Sequence, residues 1–206
     1  MKGKESIQDQ IEKRINSFER GAAFSAFDFL DIAEANTVNQ MLYRLEKSGT
    51  IRRLLNGIYD KPTYSNLIKE YSAPRIDKVA EALARRFNWR IAPSGNTALN
   101  LLHVSTQVPN VWEYVSDGPY REYDIDGTKL KFKHTKAREI NGYSQKTIMT
   151  IQAIRALGRD RLTEEDIRRF SSALTSEEKR KMPEEARSAS GWVYDEIKNI
   201  CVGEKV

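Results

Sequence analysis

Two short runs hold side chains of the types that read nucleic acid. In Thr37-Val-Asn-Gln-Met-Leu-Tyr-Arg-Leu-Glu-Lys47, Val38, Met41, Leu42 and Leu45 recur at i, i+3, i+4 and i+7, the stripe of a helix with one buried face. The outward set is then Thr37, Asn39, Gln40, Tyr43, Arg44 and Lys47. The amides of Asn39 and Gln40 match adenine N6 and N7, and the Arg44 guanidinium matches guanine, whereas Lys47 suits a phosphate. Downstream, Arg52 and Arg53 precede Asn56-Gly57. A glycine tip lets backbone approach the sugar–phosphate chain, and arginines beside it release counterions. Side chains alternate along a strand, so one of the two arginines is expected to be structural. The competing reading is a solvated helix face. A tight turn at Ala35-Asn36, the Asn-Gly tip and the lack of an acidic residue before Glu46 favour DNA contact.

Other chemistries have thinner support. Lys129, Lys131 and Lys133 alternate with Leu130 and Phe132, giving a strand with one basic face. That face is either a second electropositive surface or a lysine-protected edge. Asp117, Asp124 and Asp126, near Lys129 and Lys131, have the composition of a metal-dependent nuclease site, but acidic residues beside hairpins commonly serve the turn itself. Ser94-Gly95 after Pro93 reads as a helix N-cap. His103 reads as a helix-end or core residue, and His134 as part of the basic strand. The two histidines lack metal-ligand spacing, and the single cysteine, Cys201, pairs with nothing. No phosphate-binding loop, nucleophile elbow, HExxH pair or dinucleotide fingerprint occurs. No catalytic residue, metal or cofactor is expected.

The elements that position these residues follow from periodicity. Ile7, Ile11, Ile15 and Phe18 mark a first helix, stopped by Gly21. Ser25, with Asp28 three residues on, caps a short second helix through Phe27, Leu30 and Ile32. Thr37 is the expected N-cap of the third, and Gly49 its end. Asn56-Gly57 between two apolar arms predicts a type I′ hairpin. Helix, helix, turn, helix, hairpin is the order of a winged helix-turn-helix over residues 1–72, with 61–75 a connector holding at most one helical turn.

Residues 73–206 read as a mixed α/β domain. It opens with a helix on Ile76, Val79, Ala80, Leu83 and Phe87, followed by a strand at 89–92 and a helix capped by Ser94. Strands at 111–115, 121–125 and 129–133 make a small antiparallel sheet, the last two joined at Asp126-Gly127. From about 144 the chain is helical, with caps at Ser144, Thr163 and Thr175 and a last helix opened by Pro183. The fold class is α+β.

The chain has 206 residues, 39% hydrophobic and 31% charged, with a net charge of +5. Residues 1–72, 73–143 and 144–206 carry net charges of +1, +3 and +1. Nucleic-acid binding must therefore rest on local placement rather than bulk charge. The N-terminus has no apolar signal core and no segment is apolar enough to span a bilayer, so a cytoplasmic location is expected.

The run LEKSGTIRRLLNGIYDKP resembles the winged-helix end of the AbiEi family of antitoxins. IDKVAEALARRFNWRIAPSGNTALNLLHVSTQVPNVWEYVSDG resembles the start of that family's second domain, and the likeness covers most of residues 5–135 in order. The resemblance implies an autorepressor that binds inverted repeats in double-stranded promoter DNA. It also implies an antitoxin that counteracts a co-transcribed nucleotidyltransferase-like toxin in phage defence, with no stable complex required. Carried over by position, Thr37–Lys47 and Arg52–Gly57 contact DNA, either as a weak homodimer or as monomers binding cooperatively. Two alternatives stand beside it: a divergent metal-dependent nuclease targeted by the winged helix, and a protein-interaction module without DNA binding.

Overall fold

The computed structural model describes residues 5–67 and 69–202. The fold is α+β, with eight α-helices among the described residues, and divides into two compact units, Met1–Trp89 and Arg90–Val206. None of the described helices is long and apolar enough to cross a membrane.

In the first unit, helix α1 (Ile7–Ser17) starts at a reciprocal cap: Ser6 accepts from the Asp9 N–H while Asp9 accepts from Ser6. It buries Ile11 and Ile15. Strand β1 (Ala23–Phe24) leads to a single 3-10 turn, Ala26–Phe29, closed by the same device between Ser25 and Asp28. The expected second helix is therefore only this turn. Helix α2 (Ala35–Lys47) follows, then β2 (Arg52–Leu55) and β3 (Ile58–Asp60), which pair antiparallel with β1 in the order β1-β3-β2. Ile11, Ile15, Phe24, Phe29, Val38, Leu42, Leu45, Ile51 and Tyr59 form one core, in which Phe24 and Phe29 meet edge to face at 5.7 Å. Truncating a side chain as enclosed as Leu42 costs about 2–5 kcal/mol.

The connector differs from its expected form. Strands β4 (Tyr64–Ser65) and β5 (Glu70–Tyr71) make a small antiparallel hairpin held by the Tyr64–Tyr71 ring pair. Helix α3 (Ile76–Phe87) then packs on β1 and the 3-10 turn, so the division falls after Trp89 rather than after 72. The physical reason lies in Arg85, which donates to Asp28 Oδ1 (2.7 Å) and to the Ala23 carbonyl (3.0 Å), tying α3 to the first unit.

The second unit opens with β6 (Ile91–Pro93) and α4 (Gly95–Leu101). Strands β7 (Val111–Ser116), β8 (Arg121–Ile125) and β9 (Thr128–His134) complete a four-stranded sheet in the order β6-β7-β9-β8. This sheet is mixed, not antiparallel: β9 lies between β7 and β8 and runs parallel to β7, with Trp112 opposite Leu130. That topology sends the 117–120 segment across the end of β9. Among the bonds that hold the crossing, the Arg90 N–H donates to Asp117 (2.8 Å), and His134 Nδ1 donates to the Gly118 carbonyl (2.9 Å). Asp126 and Gly127 both take positive φ (49° and 83°), so the β8–β9 turn is the tight left-handed pair that hairpins favour.

Helices α5 (Gln145–Leu157), α6 (Glu164–Ser172), α7 (Ser176–Glu185) and α8 (Gly191–Val202) complete the unit around Leu102, Ile154, Phe170, Met182, Val193, Ile197 and Ile200. Ser144, Thr163 and Thr175 cap α5, α6 and α7 as expected. Pro183, however, lies inside α7 instead of opening a helix. Near a C-terminus it removes only one backbone bond, which limits the disruption.

Candidate nucleic-acid interface

Helix α2 begins at Ala35, two residues earlier than Thr37, with extended Glu34 as N-cap and the Val38 N–H bonded to the Glu34 carbonyl at 3.0 Å. Ala35-Asn36 is accordingly the first helical step and not a turn, and Thr37 lies half-buried within the opening turn. The far end closes as expected: Thr50 and Gly49 donate to the Leu45 and Glu46 carbonyls, with Gly49 at φ +74°. Val38, Leu42 and Leu45 are buried, while Asn39, Gln40, Tyr43, Arg44 and Lys47 are exposed. At 100° per residue, Asn36, Gln40, Tyr43 and Lys47 form the outermost line, flanked by Asn39 and Arg44. Asn36 is a member that sequence reasoning missed, because the helix start was placed too late. Lys47 sits over the Tyr43 ring at 5.3 Å, so the two project as one cationic–aromatic pair.

The β2–β3 hairpin divides the roles of its arginines. Arg52 forms a two-pronged ion pair with buried Asp60, Nε to Oδ1 at 3.0 Å and Nη2 to Oδ2 at 2.6 Å. Of the two arginines it is the one engaged by the fold. Arg53 is exposed and donates from Nη2 to Asn56 Oδ1 at 2.7 Å. The turn is not type I′: only Gly57 of the pair has positive φ (+74°), and a register shift between Arg53 and Leu55 supplies the remaining bend. Arg86 of α3 donates from Nη1 to the Asn56 carbonyl. Burial pushes the Tyr59 phenol above its ordinary pKa, against the opposing pull of Arg53 and Arg86 and with the help of Glu46.

Carboxylates partner Arg14, Arg52, Arg75 and Arg85 in this unit. Among the described residues, Arg44, Arg53 and Arg86 form no ion pair. The unpaired guanidiniums thus include the outer flank of α2 and both of those at the hairpin tip.

The second basic surface has a different character. Lys129 and Lys131 approach Glu122 at 3.7 and 3.2 Å, and Lys133 approaches Glu113 at 2.8 Å. The Lys131 bond holds the Glu122 carboxyl below its usual range, and Glu122 raises Lys131 in return. Because β9 is a central strand, glutamates on both neighbours reach its lysines, so neither an open basic face nor a protected edge describes it.

Asp124 accepts from the Gly127 N–H (2.9 Å), and Asp117 is spent on Arg90. Among the described residues, no three His, Cys, Asp or Glu side chains are grouped as a metal ion would need. Ser94 occupies the N-cap position of α4 without a side-chain cap bond, and His103 ends that helix in the left-handed region at φ +58°.

A family model, DUF6088, described as a family of unknown function, matches residues 10–182. The chain belongs to the DUF6088 family. The DUF6088 match runs from within α1 into α7 and so takes in the α2 face, the hairpin and the mixed sheet. No curated protein matches the chain.

Proposed function

We propose that this DUF6088 protein is a DNA-binding transcriptional repressor whose first unit is a winged helix-turn-helix, with α2 as recognition helix and the β2–β3 hairpin as wing. The observation that carries the reading is the outer face of α2: Asn36, Asn39, Gln40, Tyr43 and Lys47 stand exposed around an Arg44 that no carboxylate of the described residues neutralises. Amides near the helix N-terminus, at Asn36, Asn39 and Gln40, and a guanidinium further along the same face suit base edges in the major groove. Unpaired Arg53 beside Gly57 suits the phosphate backbone. The protein acts by binding, without a catalytic centre of its own.

The AbiEi resemblance over residues 5–135 extends the proposal to an antitoxin that represses its own operon at inverted repeats and counteracts a nucleotidyltransferase-like toxin. The first experiment is fluorescence anisotropy on the duplex immediately upstream of the gene, at about 50 and 200 mM salt, where each neutralised phosphate contributes a slope of about −0.9 in log K against log salt. Salt-sensitive binding that prefers this duplex over scrambled DNA, and that Arg44→Ala weakens, supports the repressor. Equal binding to both duplexes by wild type and variant overturns it. Growth rescue on co-expression with the neighbouring toxin gene tests the antitoxin role.

A further inference from the structure

We propose that Arg86, on a helix outside the helix-turn-helix and wing, contacts a DNA phosphate and also sets the position of the wing tip. The inference rests on the DNA-binding reading above and adds to it a residue that α3 supplies.

Three contacts define the position. The Arg86 guanidinium lies against Gly57 so closely that a Cβ there would sit 2.7 Å from Nη1 and 3.0 Å from Cζ. Its Nη1 donates to the Asn56 carbonyl, and Arg53 takes the Asn56 side chain, so two guanidiniums converge on one turn residue. Arg86 also lies 5.2 Å over the Phe87 ring centroid, and Phe87 stacks on Trp89 at 4.8 Å. The cation is thus in contact with both an aromatic face and the turn.

The neighbouring residue fixes the register. Arg85 is bound to Asp28 and to the Ala23 carbonyl, which locks the last turn of α3 against the first unit and holds Arg86 toward the hairpin. A guanidinium has five N–H donors, and among the described residues Arg86 donates a hydrogen bond only to Asn56. Two cations at one tip, with no paired carboxylate among the described residues, repel each other. A phosphodiester, accepting from both, relieves that repulsion and matches the planar fork. The ligand class is the sugar–phosphate backbone of duplex DNA, read without regard to sequence.

The test uses the full chain with Arg86→Gln and Arg86→Lys, on the upstream duplex and a scrambled duplex, across a salt series. Arg86→Gln is expected to weaken binding to both duplexes by the same factor, about tenfold, the scale of one charge-assisted hydrogen bond. Its log K against log salt should be shallower by about 0.9, one phosphate fewer. Arg86→Lys should restore the slope but only part of the affinity, since it keeps the charge and loses the fork. If wild type binds as a repressor should, and Arg86→Gln shows the same affinity and slope, the inference is overturned while the DNA-binding reading stands. A loss of affinity with an unchanged slope in both variants assigns Arg86 a purely structural role and overturns the phosphate contact. Wild-type protein that binds neither duplex overturns the DNA-binding reading itself.

Discussion

Arg52 and Asp60 face each other across β2 and β3 through two parallel hydrogen bonds, with Asp60 only 2% exposed. The next residue, Arg53, has the same charge and no carboxylate partner among the described residues. A one-residue step on one strand therefore assigns one guanidinium to the fold and leaves the other for the surface. Removing Arg52 leaves a buried carboxylate uncompensated, which costs about 2–4 kcal/mol for a pair that is partly open to solvent. Urea unfolding should show Arg52→Ala strongly destabilised and Arg53→Ala within about 0.5 kcal/mol of wild type. DNA affinity should rank the two variants in the opposite order once Arg52→Ala is assayed where it remains folded.

Along α2 the proposed contacts fall into two classes that mutation can separate. Asn36→Ala, Gln40→Ala and Arg44→Ala should each lower affinity for the operator more than for scrambled DNA, by about 1–3 kcal/mol where a bidentate base contact is lost. Lys47→Ala should lower both alike and flatten the salt dependence. Asn36 is the sharper case, because it belongs to the interface only if the helix starts at Ala35. No effect of Asn36→Ala on specificity would remove the outermost N-terminal position from the recognition surface.

Asp28 serves two masters, accepting from the Ser25 N–H at 2.9 Å and from Arg85 Nε at 2.7 Å. Asp28→Ala should therefore destabilise more than an ordinary lost cap, by about 1–3 kcal/mol. A double-mutant cycle with Arg85→Ala should return a coupling energy above about 0.5 kcal/mol. Additive effects would mean that the Asp28–Arg85 pair does not contribute to holding α3 in place.

In the second unit Glu185 accepts from both the backbone N–H (3.0 Å) and the hydroxyl (2.7 Å) of Ser144, tying the end of α7 to the start of α5. Burial pushes its pKa up, but bonds from Thr147 and Ser144 outweigh that, and the net shift is downward. A lowered carboxyl favours the folded state above its unfolded pKa, about 4.3 for glutamate, and loses that contribution as pH falls through the folded value. Wild type should thus exceed Glu185→Gln in denaturant midpoint at neutral pH, and the gap should close on acidification. A gap independent of pH would assign the effect to shape, not charge.

Much of this architecture was legible because local rules governed it. The apolar stripe of α2, the capping residues of α5, α6 and α7, and the Asp126-Gly127 turn each depend on residues within a few positions. What escaped depended on distant partners. The β4–β5 hairpin has two residues per strand, too few to show alternation, and α3 joins the first unit through Arg85 and Asp28, 57 positions apart. The parallel pairing of β7 with β9 is equally hidden, since nothing in either strand says that the later one inserts beside the earlier. At the candidate interface the outer side chains of α2 were readable from periodicity. Arg86 was not, because its place at the hairpin tip follows from how α3 docks.

The central position of β9 also has a consequence for biosynthesis. β7 and β8 are translated before the strand that both must pair with, and the 18 residues from Ser116 to His134 take about one to four seconds to add. During that interval the side of β7 that will receive β9 is an open edge, able to recruit a strand from another nascent chain. Hairpin closure takes microseconds once both arms are present. The left-handed Asp126-Gly127 turn therefore lets β8 and β9 arrive as a pre-paired ribbon, and the hazardous interval ends almost as soon as the last strand leaves the ribosome.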